Sequence, residues 1–158
     1  MNEVLSKTDS ANGNDNAQLD VEIQVVAFKL GNEEYAVDIV NVQDINRLLN
    51  ITRVPKSVSY IIGVVNLRGN IVPVIDLHVK FSIEPLENEN NKRIIVFNHD
   101  DTRIGFIVDE VSEVLRLNKE QIEAPDRVYT TIDPEHVTGI AKVEGRLLIL
   151  LDLQKILE

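Results

Sequence analysis

The chain contains no cysteine, no tryptophan and one methionine, and aromatic residues make up only 4% of it. Without cysteine there are no disulfides, no thiolate nucleophile and no cysteine-based zinc or iron–sulfur site. So few aromatics argue against a peptide groove of the aromatic-lined kind. Positive charge is short as well: 16 Lys and Arg stand against 26 Asp and Glu, for a net charge of -10. That balance makes a basic face for nucleic acid hard to assemble, and it repels anionic membrane surfaces. Long apolar runs are missing too. The strongest, residues 61–65 and 147–151, are five residues long, against about 20 for a membrane-spanning helix. The first 22 residues lack the apolar stretch of a signal peptide. The expected location is therefore cytoplasmic, with no membrane insertion.

What remains is a composition able to fold: 158 residues, 44% hydrophobic, enough for a sizeable core. Residues 1–22, rich in Asn, Asp and Ser, are expected to form a flexible tail. Beyond them the pattern is strand and turn. Residues 24–30 and 35–39 flank a four-residue connection, and 93–97 and 103–109 flank another. Residues 60–67 and 71–75 enclose Arg68-Gly69-Asn70, and 137–143 and 147–151 enclose Glu144-Gly145-Arg146. Helical pattern is scarce, with a predicted helix over 40–49 and short pieces at 77–81 and 153–157. The class is mainly β.

The chain also repeats itself. Phe28-Lys29-Leu30-Gly31 and Val42-Gln43-Asp44-Ile45 lie over Phe97-Asn98-His99-Asp100 and Val111-Ser112-Glu113-Val114 at a constant offset of 69. Further on, residues 63–77 lie over 139–153 at an offset of 76, with both glycines and the closing Asp-Leu identical. A unit of about five strands occurs twice, which suggests small barrels that leave little sheet edge open.

No catalytic constellation survives inspection. His78, His99 and His136 are not at metal-ligand spacing from one another. Structural or surface roles suit them better. No serine lies in a nucleophile elbow, and there is no phosphate-binding glycine loop. Asp76 and Asp152 end equivalent apolar strands. Paired carboxylates can run acid–base chemistry, but an Asp before a short apolar-periodic piece is also how a helix N-cap looks, and capping is the favoured reading. Arg68 differs: its equivalent in the second repeat is Glu144, so the fold itself does not require that charge. On a helix over 40–49, Val42 and Asp44 would lie on different faces.

Several strings are similar to those of the CheW family, the chemotaxis coupling proteins. They are Leu30-Gly31-Asn32-Glu33-Glu34-Tyr35-Ala36-Val37-Asp38-Ile39, Val42-Gln43-Asp44-Ile45, Ile51-Thr52-Arg53-Val54-Pro55 and, most specifically, Asn66-Leu67-Arg68-Gly69-Asn70-Ile71-Val72-Pro73-Val74-Ile75-Asp76-Leu77. The second half agrees through Gly105-Phe106-Ile107-Val108-Asp109-Glu110-Val111 and Gly145-Arg146-Leu147-Leu148-Ile149-Leu150-Leu151-Asp152-Leu153. The resemblance implies two intertwined five-stranded SH3-like barrels sharing one hydrophobic core. One barrel would come mainly from residues 23–60 with 140–158, the other mainly from 65–138.

It also implies a non-catalytic adaptor, without cofactor or metal, joining chemoreceptor cytoplasmic tips to the regulatory domain of the histidine kinase CheA. Carried over by motif, Val42, Asp44 and Arg68 would bind receptor, and Ile94, Gly105 and Val111 would bind kinase. Asp44 and Arg68 are expected to meet at a groove rim. Two departures stand out: Asp44 where Glu is usual, and His78 where Arg is common after Asp-Leu. Two other readings compete. A generic SH3-like peptide-binding module calls for the aromatic groove that the composition disfavours, and a small acidic hydrolase would use Asp76 and Asp152.

Overall fold

The computed structural model describes residues 22–48, 50–54, 60–125 and 132–157. The expected tail lies outside them except for Glu22, which opens the first strand. Among the described residues the first repeat runs β1 (Glu22–Leu30), β2 (Glu33–Asp38), β3 (Val42–Arg47), β4 (Thr52–Arg53), β5 (Ile61–Leu67), β6 (Asn70–Asp76) and helix α1 (Leu77–Phe81). The second runs β7 (Arg93–His99), β8 (Thr102–Val108), β9 (Glu110–Asn118), β10 (Ile122–Glu123), β11 (Val137–Val143), β12 (Arg146–Leu151) and helix α2 (Leu153–Ile156).

Neither repeat makes a sheet alone. Sheet I has the order β9-β1-β2-β12-β11-β10, and sheet II has the order β3-β7-β8-β6-β5-β4. Each therefore takes two strands from one repeat and four from the other, and the two orders are equivalent strand for strand. The equivalence extends to irregularities. Register shifts fall between Val42 and Asp44 and between Val111 and Glu113, and again between Ile61 and Gly63 and between Val137 and Gly139. Backbone ties repeat too: Asp76 N–H donates to Tyr60 O and Asp152 N–H to His136 O, both at 2.8 Å.

This exchange corrects two expectations. The sheets have six strands rather than five. The boundaries also shift: 110–123 and 137–151 pair in sheet I with 22–38, while 42–53 joins sheet II. The joining of the first strands to the C-terminal segment stands, and the segments that change sheets are 42–53 and 110–123, because strands β3 and β9 find their partners across the duplication.

Each sheet must curl. In sheet I, β9 and β10 lie at opposite edges, yet only Lys119–Gln121, a turn of 3-10 helix, separates them in sequence. Six flat strands would set those edges about 24 Å apart, whereas three residues and their flanking bonds span about 14 Å at most. Curling buries two faces. Val26, Phe28, Leu30, Tyr35 and Val37 point to a core shared with Ile95, Phe97, Phe106 and Val108 of sheet II. Their neighbours Val25, Ala27 and Ala36 face a separate cluster inside sheet I, and Val72, Val74, Ile94 and Val96 do the same inside sheet II.

The predicted helix over 40–49 is instead a 3-10 turn, Ile39–Asn41, followed by β3. Period-2 burial across β3 wins over a helical spacing too short to nucleate. The hairpin turns are also tighter than expected, with two residues each. Arg68-Gly69, Asp100-Asp101 and Glu144-Gly145 all have positive φ at both positions, the primed-turn geometry that matches strand twist. The helices at 77–81 and 153–156 form as expected.

Gly63 sits where β4 pairs with β5, opposite Arg53. A Cβ there would meet the Thr52 carbonyl oxygen well inside contact distance, and Ile51 Cγ2 at 2.8 Å. Gly63→Ala is expected to cost about 1–3 kcal/mol through overpacking, read as a lower denaturant midpoint.

Candidate functional site

Strand β3 sets the geometry of the first cluster. It carries a bulge between Val42 and Asp44, so Val42 pairs with Phe97 on the side of the shared core and Asp44 pairs with Val96 on the side of the cluster inside sheet II. The two thus lie on different faces as expected, but a strand bulge separates them and not a helix. Val42 packs against the shared core. Asp44 reaches the Arg68 guanidinium and forms an ion pair with it, the expected meeting of the two. Burial works against the Asp44 charge, but Asn46, Arg68 and the Ile45 N–H outweigh it and hold its carboxyl below the usual range. Arg68 sits at the tip of the β5–β6 turn with 77% of its side chain exposed. The pair flanks a shallow cavity of about 140 Å³ that Leu67, Val96 and Arg103 also line.

The duplicate position in sheet I carries a different pair. Glu113 stands where Asp44 does and Glu144 where Arg68 does. The cation has moved two residues along, to Arg146, whose guanidinium reaches Glu113 at 2.6 Å and Glu34 at 3.0 and 2.8 Å. The Arg146 bonds hold Glu34 below its usual range. Thus the charge at 68 is free to differ because the other copy supplies its cation elsewhere.

The remaining site residues are placed differently. Ile94 is fully buried, and Gly105 is buried beside it, where a Cβ would come within 2.9 Å of Ile94 Cγ2. Both belong to the interior of sheet II, so neither is available for direct contact with a kinase. Val111 lies on β9 in sheet I, partly buried against the shared core. The structure brings Asp44 and Arg68 together, leaves Val42 against the shared core and sets Val111 on the other sheet.

Asp76 and Asp152 are helix caps. Asp76 accepts the His78 N–H, and Asp152 accepts the Lys155 N–H. Phe28, Tyr35, Phe97 and Phe106 are fully buried, so these four aromatics line no peptide groove. Among the described residues no group of His, Asp and Glu could hold a metal ion, and no helix is long and apolar enough to cross a membrane.

One cluster escaped sequence reasoning. Asp109, between β8 and β9, has no exposed side-chain surface. Its Oδ2 accepts the Gly31 N–H at 2.7 Å and lies 2.8 Å from His78 Nε2. Its Oδ1 accepts the Leu86 N–H at 3.2 Å and Lys92 Nζ at 3.0 Å. Burial opposes its charge, but the Gly31 N–H, His78 and Lys92 overcome that and keep it below the usual range. The repeat held the signal: at offset 69, Asp109 matches Val40, so a charge stands where the other copy has an apolar residue.

Residues 24–158 match the model of the CheW-like domain. The chain belongs to the CheW family. It is 42% identical to the chemotaxis protein CheW of Klebsiella aerogenes over 134 residues, 85% of this chain and 81% of that protein. It is 34% identical to CheW of Bacillus subtilis over 143 residues, 90% and 91% of the two chains. The crystal structure of the scaffolding protein TtCheW from Thermoanaerobacter tengcongensis superposes with a TM-score of 0.78 at 37% identity, covering 84% of this chain and 86% of that one. The family is one of non-catalytic chemotaxis scaffolds, and two β subdomains are its fold.

Asp109→Asn would place an amide donor among four donors. The expected loss is about 3–5 kcal/mol, as for breaking a buried ion pair, measured by denaturant unfolding. Stability of the wild type should also fall under acid. Carboxyls held low in the fold contribute fully above their ordinary values, 3.8 for Asp76 and Asp109 and 4.5 for Glu34. That contribution disappears as pH drops through the lower folded values, which a pH series of thermal melts checks.

Proposed function

We propose that this chain couples chemoreceptor cytoplasmic tips to the regulatory domain of the histidine kinase CheA, working in the cytoplasm at membrane-anchored receptor arrays. The observation that carries the reading is the Asp44–Arg68 pair. It joins residues 24 apart in sequence, yet its cation stands largely in solvent and stability gains little from it, about 0–1 kcal/mol for an exposed pair. Such a pair fits recognition better than support. Val42 lies two residues from Asp44 on β3, and Ile45 and Ile71 on the same sheet are exposed apolar side chains. A receptor tip is a bundle of amphipathic helices, so apolar anchors would seat one helix while the charges orient it.

For the kinase, Val111 is the accessible candidate, and Ile94 and Gly105 act by shaping sheet II from inside. Two sheets locked through one core hold these faces in fixed register, as an adaptor requires.

Arg68→Glu is expected to leave the β circular dichroism unchanged and the melting temperature within a few degrees, while abolishing capture by a receptor tip and retaining capture by the kinase domain. Undiminished receptor capture would overturn the assignment.

A further inference from the structure

The His78 ring is almost fully enclosed, with 5% of its surface exposed, and both of its nitrogens face carboxylates. Nδ1 lies 2.8 Å from Asp76 Oδ1 and Nε2 lies 2.8 Å from Asp109 Oδ2. A neutral imidazole has one N–H and one lone pair, so in this position it would aim a lone pair at an anionic oxygen. The carboxyls cannot supply the missing proton. Asp109 already accepts from the Gly31 N–H, the Leu86 N–H and Lys92, and Asp76 Oδ1 already accepts the His78 N–H.

The charges around the ring close only one way. Asp76 faces it from the end of β6, Asp109 from the β8–β9 link and Lys92 from the residue before β7, while Glu89 approaches Lys92 from outside at 3.5 Å. On α1 itself, Lys80 lies over the Tyr60 ring, away from the cluster. A buried anion, Asp109, and a partly buried one, Asp76, are balanced by Lys92 and one further cation, and His78 is placed to be it.

The cluster also sits where the two sheets meet. Gly31 belongs to the β1–β2 turn of sheet I. His78, Leu86 and Lys92 belong to α1 and the segment that leads from it into sheet II. Asp109 is where the chain passes from sheet II to sheet I, and its own N–H donates to Lys29 O at 3.0 Å.

We propose that His78 is a proton-operated latch between the sheets: charged, it ties α1 and the 82–92 segment to the β1–β2 turn through Asp109, and on losing its proton it loosens that tie without unfolding either sheet. The direction follows from the contacts. Burial disfavours the charged ring, but the bonds to Asp76 and Asp109 outweigh it and raise its affinity for the proton above the ordinary histidine range. A group so raised stabilises fully below about pH 6.5, its ordinary value, and its contribution is lost as pH rises through the folded value. Partner binding plays no part in this inference.

The test uses the full chain between pH 6 and 10, following the ¹⁵N shifts of the His78 ring and the exchange of the Gly31 and Leu86 amides, corrected for intrinsic rate. At pH 6 both ring nitrogens should carry protons. Protection of the two amides should fall about tenfold or more across the ring's titration, while amides in the centre of β1 and β7 keep theirs. His78→Arg, permanently charged, should remove that pH dependence, and His78→Gln should show the loosened amides throughout. A neutral ring tautomer at pH 6 would overturn the latch, as would amide protection indifferent to the ring's titration. The ring shifts of the wild-type protein decide the matter even where a variant does not fold.

Discussion

The structure depends on an exchange of strands. A single repeat leaves β3 unpaired inside its own half, and the edge it needs is β7, in the other copy. The same holds for β9 and β1. Neither sheet can be completed until both repeats are present, so the two halves form one cooperative body. Their central core follows from it, because the exchanged strands carry Val26, Phe28, Phe97 and Phe106 to one interface. For a scaffold this is the property that matters, since two faces on independently mobile units would not hold partners at a set geometry.

Exchange forces the chain to pass from one sheet to the other, and at one of these passages the protein places its most buried charge. Asp109 collects donors from a hairpin of sheet I, a helix after sheet II and the long segment between them. A buried carboxylate is costly unless its acceptor positions are filled, and here they are. The other passage, around Val40, is made with an exposed apolar residue, 78% accessible. The duplication has thus diverged into one tied crossing and one open one.

The divergence at Arg68 and Glu144 is of another kind. Each copy keeps an acid on the equivalent strand, Asp44 or Glu113, and each gives it an arginine, but from different positions on the hairpin. In one copy the arginine projects into solvent at the turn. In the other it is gripped by two glutamates. The same fold can therefore present a reactive rim on one side and a closed one on the other.

The sequence by itself determined the hairpins, the duplication, both helix caps and the family, because each rests on local pattern: alternation along a strand, an Asp before a short apolar turn, a repeated string. It also carried the meeting of Asp44 and Arg68, through the family motif. Only the tertiary structure decided that residues 42–47 are strand, that strands are exchanged between repeats, and that Ile94 and Gly105 lie inside. Those depend on which edge a strand finds, and pairing energy comes from a partner distant in the chain. The same reason hid the role of His78. Its surroundings come from four separate stretches of sequence, and nothing next to it in the chain foretells that two carboxylates will close on its ring.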